Sequence, residues 1–299
     1  MKPQIAALIA LLTYPAPAGT QAGHAERHAT LPAVSPNGRW IAYVRDKSPD
    51  STELRVVGVD GSKDRLLRGA GPHGVPGWGD GGRRVTLVQS SGDSATLWSI
   101  GLDGRDARVL ARLQGHALSP SNNGRLLAYA TGDWRHNRLT VSDFDGGHIR
   151  VLTDSSAAWF NIAWSPDDRM LAASRLDSTA DMQVWLVEVQ SAQPRPLTAF
   201  ASAEGRPQWP AWSPDGKRVA VQAGHYDREH PEKNESDIWV VEMASGRATK
   251  VGMRTGTWMD ETPSWCADGR RIVFQSSRTG RFELWSARVD GGKARMVTR

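Results

Sequence analysis

One phrase, repeated six times, constrains this chain more than any other feature of it. Its clearest copy is Trp212-Ser213-Pro214-Asp215-Gly216-Lys217-Arg218-Val219-Ala220-Val221. Ser-Pro-Asp-Gly is turn chemistry: proline pre-sets φ, the aspartate carboxylate bonds nearby backbone, and glycine accepts positive φ. The apolar run after it reads as a strand, so each copy is a hairpin. The other copies are Val34-Ser35-Pro36-Asn37-Gly38, Trp78-Gly79-Asp80-Gly81-Gly82, Trp164-Ser165-Pro166-Asp167-Asp168 and Trp265-Cys266-Ala267-Asp268-Gly269. Repeat three reads as Leu118-Ser119-Pro120 followed by Asn123-Gly124, with one extra residue.

Equivalent positions 38, 82, 124, 168, 216 and 269 lie 44, 42, 44, 48 and 53 residues apart, the self-similarity of a repeat architecture. Each copy is followed by another strand-like run, such as Asp237-Ile238-Trp239-Val240-Val241 or Glu283-Leu284-Trp285-Ser286-Ala287. Most then turn at a pair such as Asp103-Gly104 or Asp290-Gly291 and add a short last strand, as in Arg108-Val109-Leu110. Four strands of about six residues with short turns use about 40 residues and leave no room for a helix. The spacing predicts an all-β fold, a six-bladed β-propeller of four-stranded antiparallel blades over 27–299. The blades are expected near 30–70, 73–113, 114–155, 158–199, 205–253 and 257–299.

Two places before the turn serine stand Ala33, Gly77, Ala117, Ala163, Ala211 and Ser264, all small, as innermost strands crowded round an axis require. The next column, Val34, Trp78, Leu118, Trp164, Trp212 and Trp265, is expected to point into blade packing. The first repeat begins with its innermost strand and the last ends with its outermost. Every blade is therefore expected to be contiguous, the ring closing by packing of blade one against blade six.

These hairpins, each followed by a Leu-Trp-like strand and an Asp-Gly turn, resemble the propeller repeats of the TolB family, named for the periplasmic component of the Tol-Pal system. Related repeats occur in the propellers of prolyl-oligopeptidase-type peptidases. The resemblance covers essentially the whole chain after the first 25 residues and implies a periplasmic binding module. It also carries the expectation that the further α/β domain of TolB is missing here. A hydrolase domain is likewise not expected, since no Gly-x-Ser-x-Gly occurs in the sequence.

Lys2, an apolar run from Ile5 to Leu12, then Pro15 and Ala16-Pro17-Ala18 read as a secretory signal peptide over 1–25, too short in its apolar part to span a bilayer. Export to the periplasm follows as the expectation. The balance of 37 Lys+Arg against 32 Asp+Glu is mildly basic. However, Arg39, Arg83, Arg125, Arg169 and Arg270 sit just after turns rather than in one stripe, so they read as solvated turn charges and no nucleic-acid partner is expected. The single cysteine, Cys266, holds the serine place of its turn and reads as a small buried residue rather than a nucleophile.

Of 13 tryptophans, nine occupy repeat positions: Trp78, Trp164, Trp212 and Trp265 before the turn, Trp98, Trp185, Trp239 and Trp285 in the third strand, and Trp40 in a second strand. Trp134 lies in a loop of repeat three, and Trp159, Trp209 and Trp258 are read as preceding the innermost strands of repeats four to six. Trp159, Trp209 and Trp258, together with His73, His116, Asn161, Arg206, Gln208, Asp260 and Glu261, form a candidate binding mouth of the central channel for an envelope protein or glycan. Neighbours in a strand point to opposite faces, so Asp260 and Glu261 cannot act as a facing acid/base pair.

His225-Tyr226-Asp227-Arg228-Glu229-His230, with Glu232 and Glu235, holds metal-capable residue types, yet it reads as a solvated charged loop. Gly69-Ala70-Gly71-Pro72-His73-Gly74 matches a dinucleotide pattern in letters only, since it opens no helix. The leading expectation is a monomeric, non-catalytic binding module without cofactor or metal. The alternative is a lactonase- or lyase-type propeller enzyme with a metal-assisted site in the channel, and anionic glycan binding is a third reading.

Overall fold

The computed structural model describes residues 28–48, 51–71, 74–201, 204–227, 229–252 and 256–298. The expected signal peptide, 1–25, and His73 lie outside these residues. Blade 1 consists of β1 (Ala29–Val34), β2 (Trp40–Ser48), β3 (Ser51–Gly58) and β4 (Arg65–Gly71). Blade 2 holds β5 (Val75–Gly79), β6 (Arg84–Ser91), β7 (Ser94–Gly101) and β8 (Arg108–Gln114), and blade 3 holds β9 (His116–Pro120), β10 (Leu126–Gly132), β11 (Asn137–Asp143) and β12 (Arg150–Val151). In blade 4 the strands are β13 (Ala158–Trp164), β14 (Met170–Leu176), β15 (Met182–Glu188) and β16 (Pro194–Pro196). Blade 5 is β17 (Arg206–Trp212), β18 (Arg218–His225), β19 (Glu235–Glu242) and β20 (Ala248–Lys250), and blade 6 is β21 (Asp260–Trp265), β22 (Arg271–Ser276), β23 (Glu283–Arg288) and β24 (Arg295–Met296). Each sheet is four consecutive strands in chain order, so the six-bladed propeller is built from contiguous blades as expected. Among the described residues no helix is long and apolar enough to cross a membrane.

The repeated turn works through its serine. Ser213 Oγ donates to Asp215 Oδ1 (2.5 Å) and accepts from the Arg218 amide (3.0 Å), while Asp215 also accepts from the Lys217 amide. Ser35 and Ser165 repeat this pattern. In repeat three, however, the serine that does so is Ser121, which accepts from the Leu126 amide and donates to Asn123. The reading of Ser119-Pro120 as the turn is therefore corrected: there is no extra residue, Ser119 takes the small column and Pro120 the pre-turn place. Pairing of Ser119 with Ala128, as Ala33 pairs with Ala42, fixes this register.

The pre-turn tryptophans stitch neighbouring blades. The indole N–H groups of Trp78, Trp164, Trp212 and Trp265 donate to the carbonyls of Ala33, Ser119, Ala163 and Ala211, each in the preceding blade. Apolar packing follows the same seams. Ile41, Tyr43 and Val57 of blade 1 pack with Val273, Leu284 and Val297 of blade 6, and Val184 and Leu186 of blade 4 pack with Val219, Val221 and Val241 of blade 5. At the closing seam Val34 has no indole, and its amide donates to Ser264 Oγ (2.9 Å) instead.

Candidate functional site

The innermost strands carry a feature that their sequences hide. In five of the six the register slips just before the small column, leaving Leu31, Ala117, Asn161, Trp209 and Thr262 at φ between 49° and 53°. Only β5 pairs without a slip. A left-handed backbone at a non-glycine residue costs on the order of 1 kcal/mol or more, and such a bulge re-aims the local amide and side chain. Three of the turned amides are caught by a side chain on the second strand of the preceding blade. Leu31 donates to Gln275 Oε1 (2.9 Å), Trp209 to Ser174 Oγ (3.3 Å) and Thr262 to Gln222 Oε1 (2.7 Å).

Around blades 5 and 6 these latches merge into one network. Gln275 Nε2 donates to Glu261 Oε2 (3.0 Å), Thr262 Oγ1 donates to Gln275 Oε1 (2.9 Å), and Gln222 Nε2 donates to the Tyr226 hydroxyl (3.1 Å). That hydroxyl donates in turn to Glu261 Oε1 (3.0 Å). Burial, and then the Glu261 charge, push the Tyr226 phenol well above its ordinary range, so it stays protonated as the donor. Tyr226 begins the insert between β18 and β19, and through it the insert is tied to the channel wall. Asp227 accepts from the Glu229 and His230 amides, which hold its carboxyl below the usual range, so it organises its own loop. Among the described residues no three His, Cys, Asp or Glu side chains converge on a metal position.

Several of the predicted mouth residues gather on the face where the chain enters the innermost strands, here called the inlet face. Arg206 opens β17, is exposed, and has no ion-pair partner among the described residues. Two residues on, Gln208 is buried and its Oε1 has no hydrogen-bond partner among the described residues, and Trp209 sits half-buried at the bulge. Asn161, half-buried at the same place in blade 4, accepts from Ser174 Oγ (3.2 Å). A cleft of 570 Å³ opens between blades 4 and 5, lined by Phe200, Gly205, Arg206, Tyr226, Asp227 and Lys233 among others.

The other predicted residues are placed differently. Trp159 and Trp209 lie inside β13 and β17 rather than before them, because those strands start earlier than the alternation suggests. Trp159 is only 2% exposed and packs with Leu139 and Val141 of blade 3, so it belongs to a seam and not to the mouth. His116 is also 2% exposed, stacked on Trp134 at 4.4 Å, and burial lowers its pKa.

Asp260 and Glu261 have separate partners. Both Asp260 oxygens accept from Arg278 Nη2 at 2.8 Å, and that guanidinium covers Trp258 and Trp285. Burial still raises the Asp260 pKa, outweighing the arginine. Sequence reasoning missed Gln222, Gln275 and Tyr226. The available signal was a glutamine inside otherwise apolar second strands, as in Val219-Ala220-Val221-Gln222 and Ile272-Val273-Phe274-Gln275.

Residues 125–299 match the TolB beta propeller domain family. The chain is 29% identical over 220 residues to the Tol-Pal system protein TolB of Anaeromyxobacter dehalogenans (strain 2CP-1), covering 70% of this chain and 45% of that protein. The solved TolB of Acinetobacter baumannii superposes with a TM-score of 0.68 at 18% identity, covering 87% of this chain and 67% of that one. An oligogalacturonate lyase from Vibrio parahaemolyticus superposes with a TM-score of 0.59 at 11% identity, covering 88% and 91%. At such identities the likeness to these structures speaks for the fold alone. The chain spans less than half the length of the curated relatives it matches. With more than half of its residues inside the family match and the repeat present in every blade, the chain belongs to the TolB beta-propeller domain family.

Proposed function

We propose that this chain is an exported, periplasmic binding module that recognises an envelope partner protein through the inlet face of blades 4 to 6. The observation that carries the reading is exposed Arg206 on the wall of the 570 Å³ cleft, with half-buried Trp209 three residues further along the same strand. Tryptophan and arginine dominate interface energetics because each combines a large contact area with directed polar groups. The latches that hold Trp209 and Thr262 form within the ring itself. Such a surface is pre-ordered, which reduces the entropic cost of binding. The relative named as a Tol-Pal system protein supports a protein partner over a small substrate.

The test is capture from envelope extract by the purified chain and by its Arg206→Glu/Trp209→Ala variant. A partner retained by the parent and lost by a variant of unchanged melting temperature supports the site; equal capture by both overturns it. The enzyme alternative is tested by metal analysis of the purified protein, where a stoichiometric bound ion would favour it. Export is tested by N-terminal sequencing of protein recovered from the periplasm, which is expected to begin near residue 26.

A further inference from the structure

The outer rims of blades 1 and 2 differ from the rest of the ring. The outermost strands of blades 3 to 6 are two or three residues long, whereas β4 and β8 each run seven. Short edges are how sheets avoid pairing with other chains, because an open edge presents unpaired N–H and C=O groups. β8 is such an edge: it pairs only with β7, and its other side has no strand partner among the described residues. It is also held in place, since Leu110, Ala111 and Leu113 pack against the core formed by Ala95, Leu97, Leu118 and Leu127.

The charges on the two long edges are committed differently. On β4, Arg65 lies over Trp40 at 4.9 Å and Arg68 over Trp98 at 4.3 Å. On β8, Arg108 and Arg112 are exposed and have no ion-pair partner among the described residues. Asp106, the carboxylate nearest in sequence to Arg108, is taken by Arg84 at 2.9 Å. The β7–β8 ladder slips at Leu110, so Arg108, opposite Ser99, and Arg112, opposite Thr96, stand on opposite faces of the blade, with Val109 exposed on the same face as Arg112. A second copy pairing edge to edge would gather four arginines along one shared edge, and this like charge opposes self-association.

From this we infer that the open edge of β8 takes an extended acidic segment of a partner protein as a fifth strand, with Arg108 and Arg112 selecting its carboxylates. Main-chain hydrogen bonds supply the pairing and the side chains supply the choice of partner, as in other strand additions. The site lies on the rim and is independent of the inlet face.

The test uses the full chain and a labelled eight-residue peptide of valine and threonine with glutamates three positions apart, the spacing of Arg108 and Arg112 along the ladder. Three comparison probes are the same peptide with lysine for glutamate, the same peptide N-methylated at alternate residues, and the Arg108→Glu/Arg112→Glu protein. Saturable binding is expected for the glutamate peptide, with new hydrogen-exchange protection confined to 108–114. The lysine peptide, the methylated peptide and the charge-reversed protein are each expected to bind about tenfold or more weakly. Equal binding of the methylated peptide would overturn strand addition. Equal binding by the charge-reversed protein would overturn the edge as the site. Absence of binding by the glutamate peptide would leave the arginines as guards against aggregation and overturn the proposal. The methylated peptide keeps the outcome readable even if the protein variant folds poorly.

Discussion

Replacing Gln275 by alanine tests how the ring is closed. The side chain is fully buried. It accepts from the Leu31 amide and the Thr262 hydroxyl and donates to the Glu261 carboxylate, all within 3.0 Å. The truncation leaves the first two without this acceptor and takes one donor from the carboxylate. A buried polar group left unsatisfied costs about 1–3 kcal/mol, so together the losses come to about 3–6 kcal/mol, water recovering part of the upper figure. The loss falls on the seam between blades 6 and 1, where Val34 stands in the place that tryptophan fills at four other seams. For a chain of this size about 2 °C of melting temperature accompanies each kcal/mol, so a drop of about 6–12 °C is expected. Calorimetry gives that figure, and hydrogen exchange at Leu31 gives its location. A loss below about 1 kcal/mol, or an unchanged Leu31 exchange rate, would refute the idea that this glutamine secures the seam.

Burial depresses the pKa of His116, so its contribution to stability is present above the ordinary histidine value and is lost as pH falls through the folded-state value. The melting temperature of the parent is therefore expected to fall more between pH 7 and pH 5 than that of His116→Phe, which keeps the stack on Trp134; parallel curves would contradict this. Arg278→Ala leaves the Asp260 carboxylate buried without its cation and is expected to cost about 3–5 kcal/mol at neutral pH. Asp260 is already raised, so its stabilising contribution is complete below the ordinary carboxylate value and lost as pH rises through the folded-state value. The Arg278→Ala deficit, read by urea denaturation, is accordingly expected to shrink toward pH 4. Cys266 is buried, with its thiol pushed up to about 11, and Asp268 accepts the Arg271 amide that a turn serine would otherwise take. Cys266→Ser is expected to stabilise by about 0.5–1 kcal/mol, seen as a shift in the denaturation midpoint.

The fold was legible because turn chemistry and strand alternation repeat at a fixed spacing, and those signals are local. Gly38, Gly124 and Gly216, all at positive φ, mark the same turn in three blades. Literal matching failed where a near-copy lay beside the true one. Ser119-Pro120 looks like the turn, but Ser121 supplies the hydroxyl. The bulges were illegible because leucine, alanine, asparagine, tryptophan and threonine occupy them, and only the ring geometry imposes the left-handed backbone. Among the candidate mouth residues, the grouping of Arg206, Gln208 and Trp209 on one innermost strand was legible from their position in the repeat. Trp159 could not be told from them, since burial depends on the neighbouring blade. Nor could the commitment of Arg65 and Arg68 to rings, and the freedom of Arg108 and Arg112, be read without the register that places them.

The proposed docking of a partner protein on the inlet face of blades 4 to 6 leads to a contact that can be trapped. Photo-crosslinking in the living cell tests it most directly, with the reactive residue placed either at Arg206 or at Lys217 in the turn at the opposite end of β17. A discrete adduct from position 206 that is missing from position 217 is the predicted result. The same adduct from both positions, or an adduct from 217 alone, would rule out the inlet face as the docking surface.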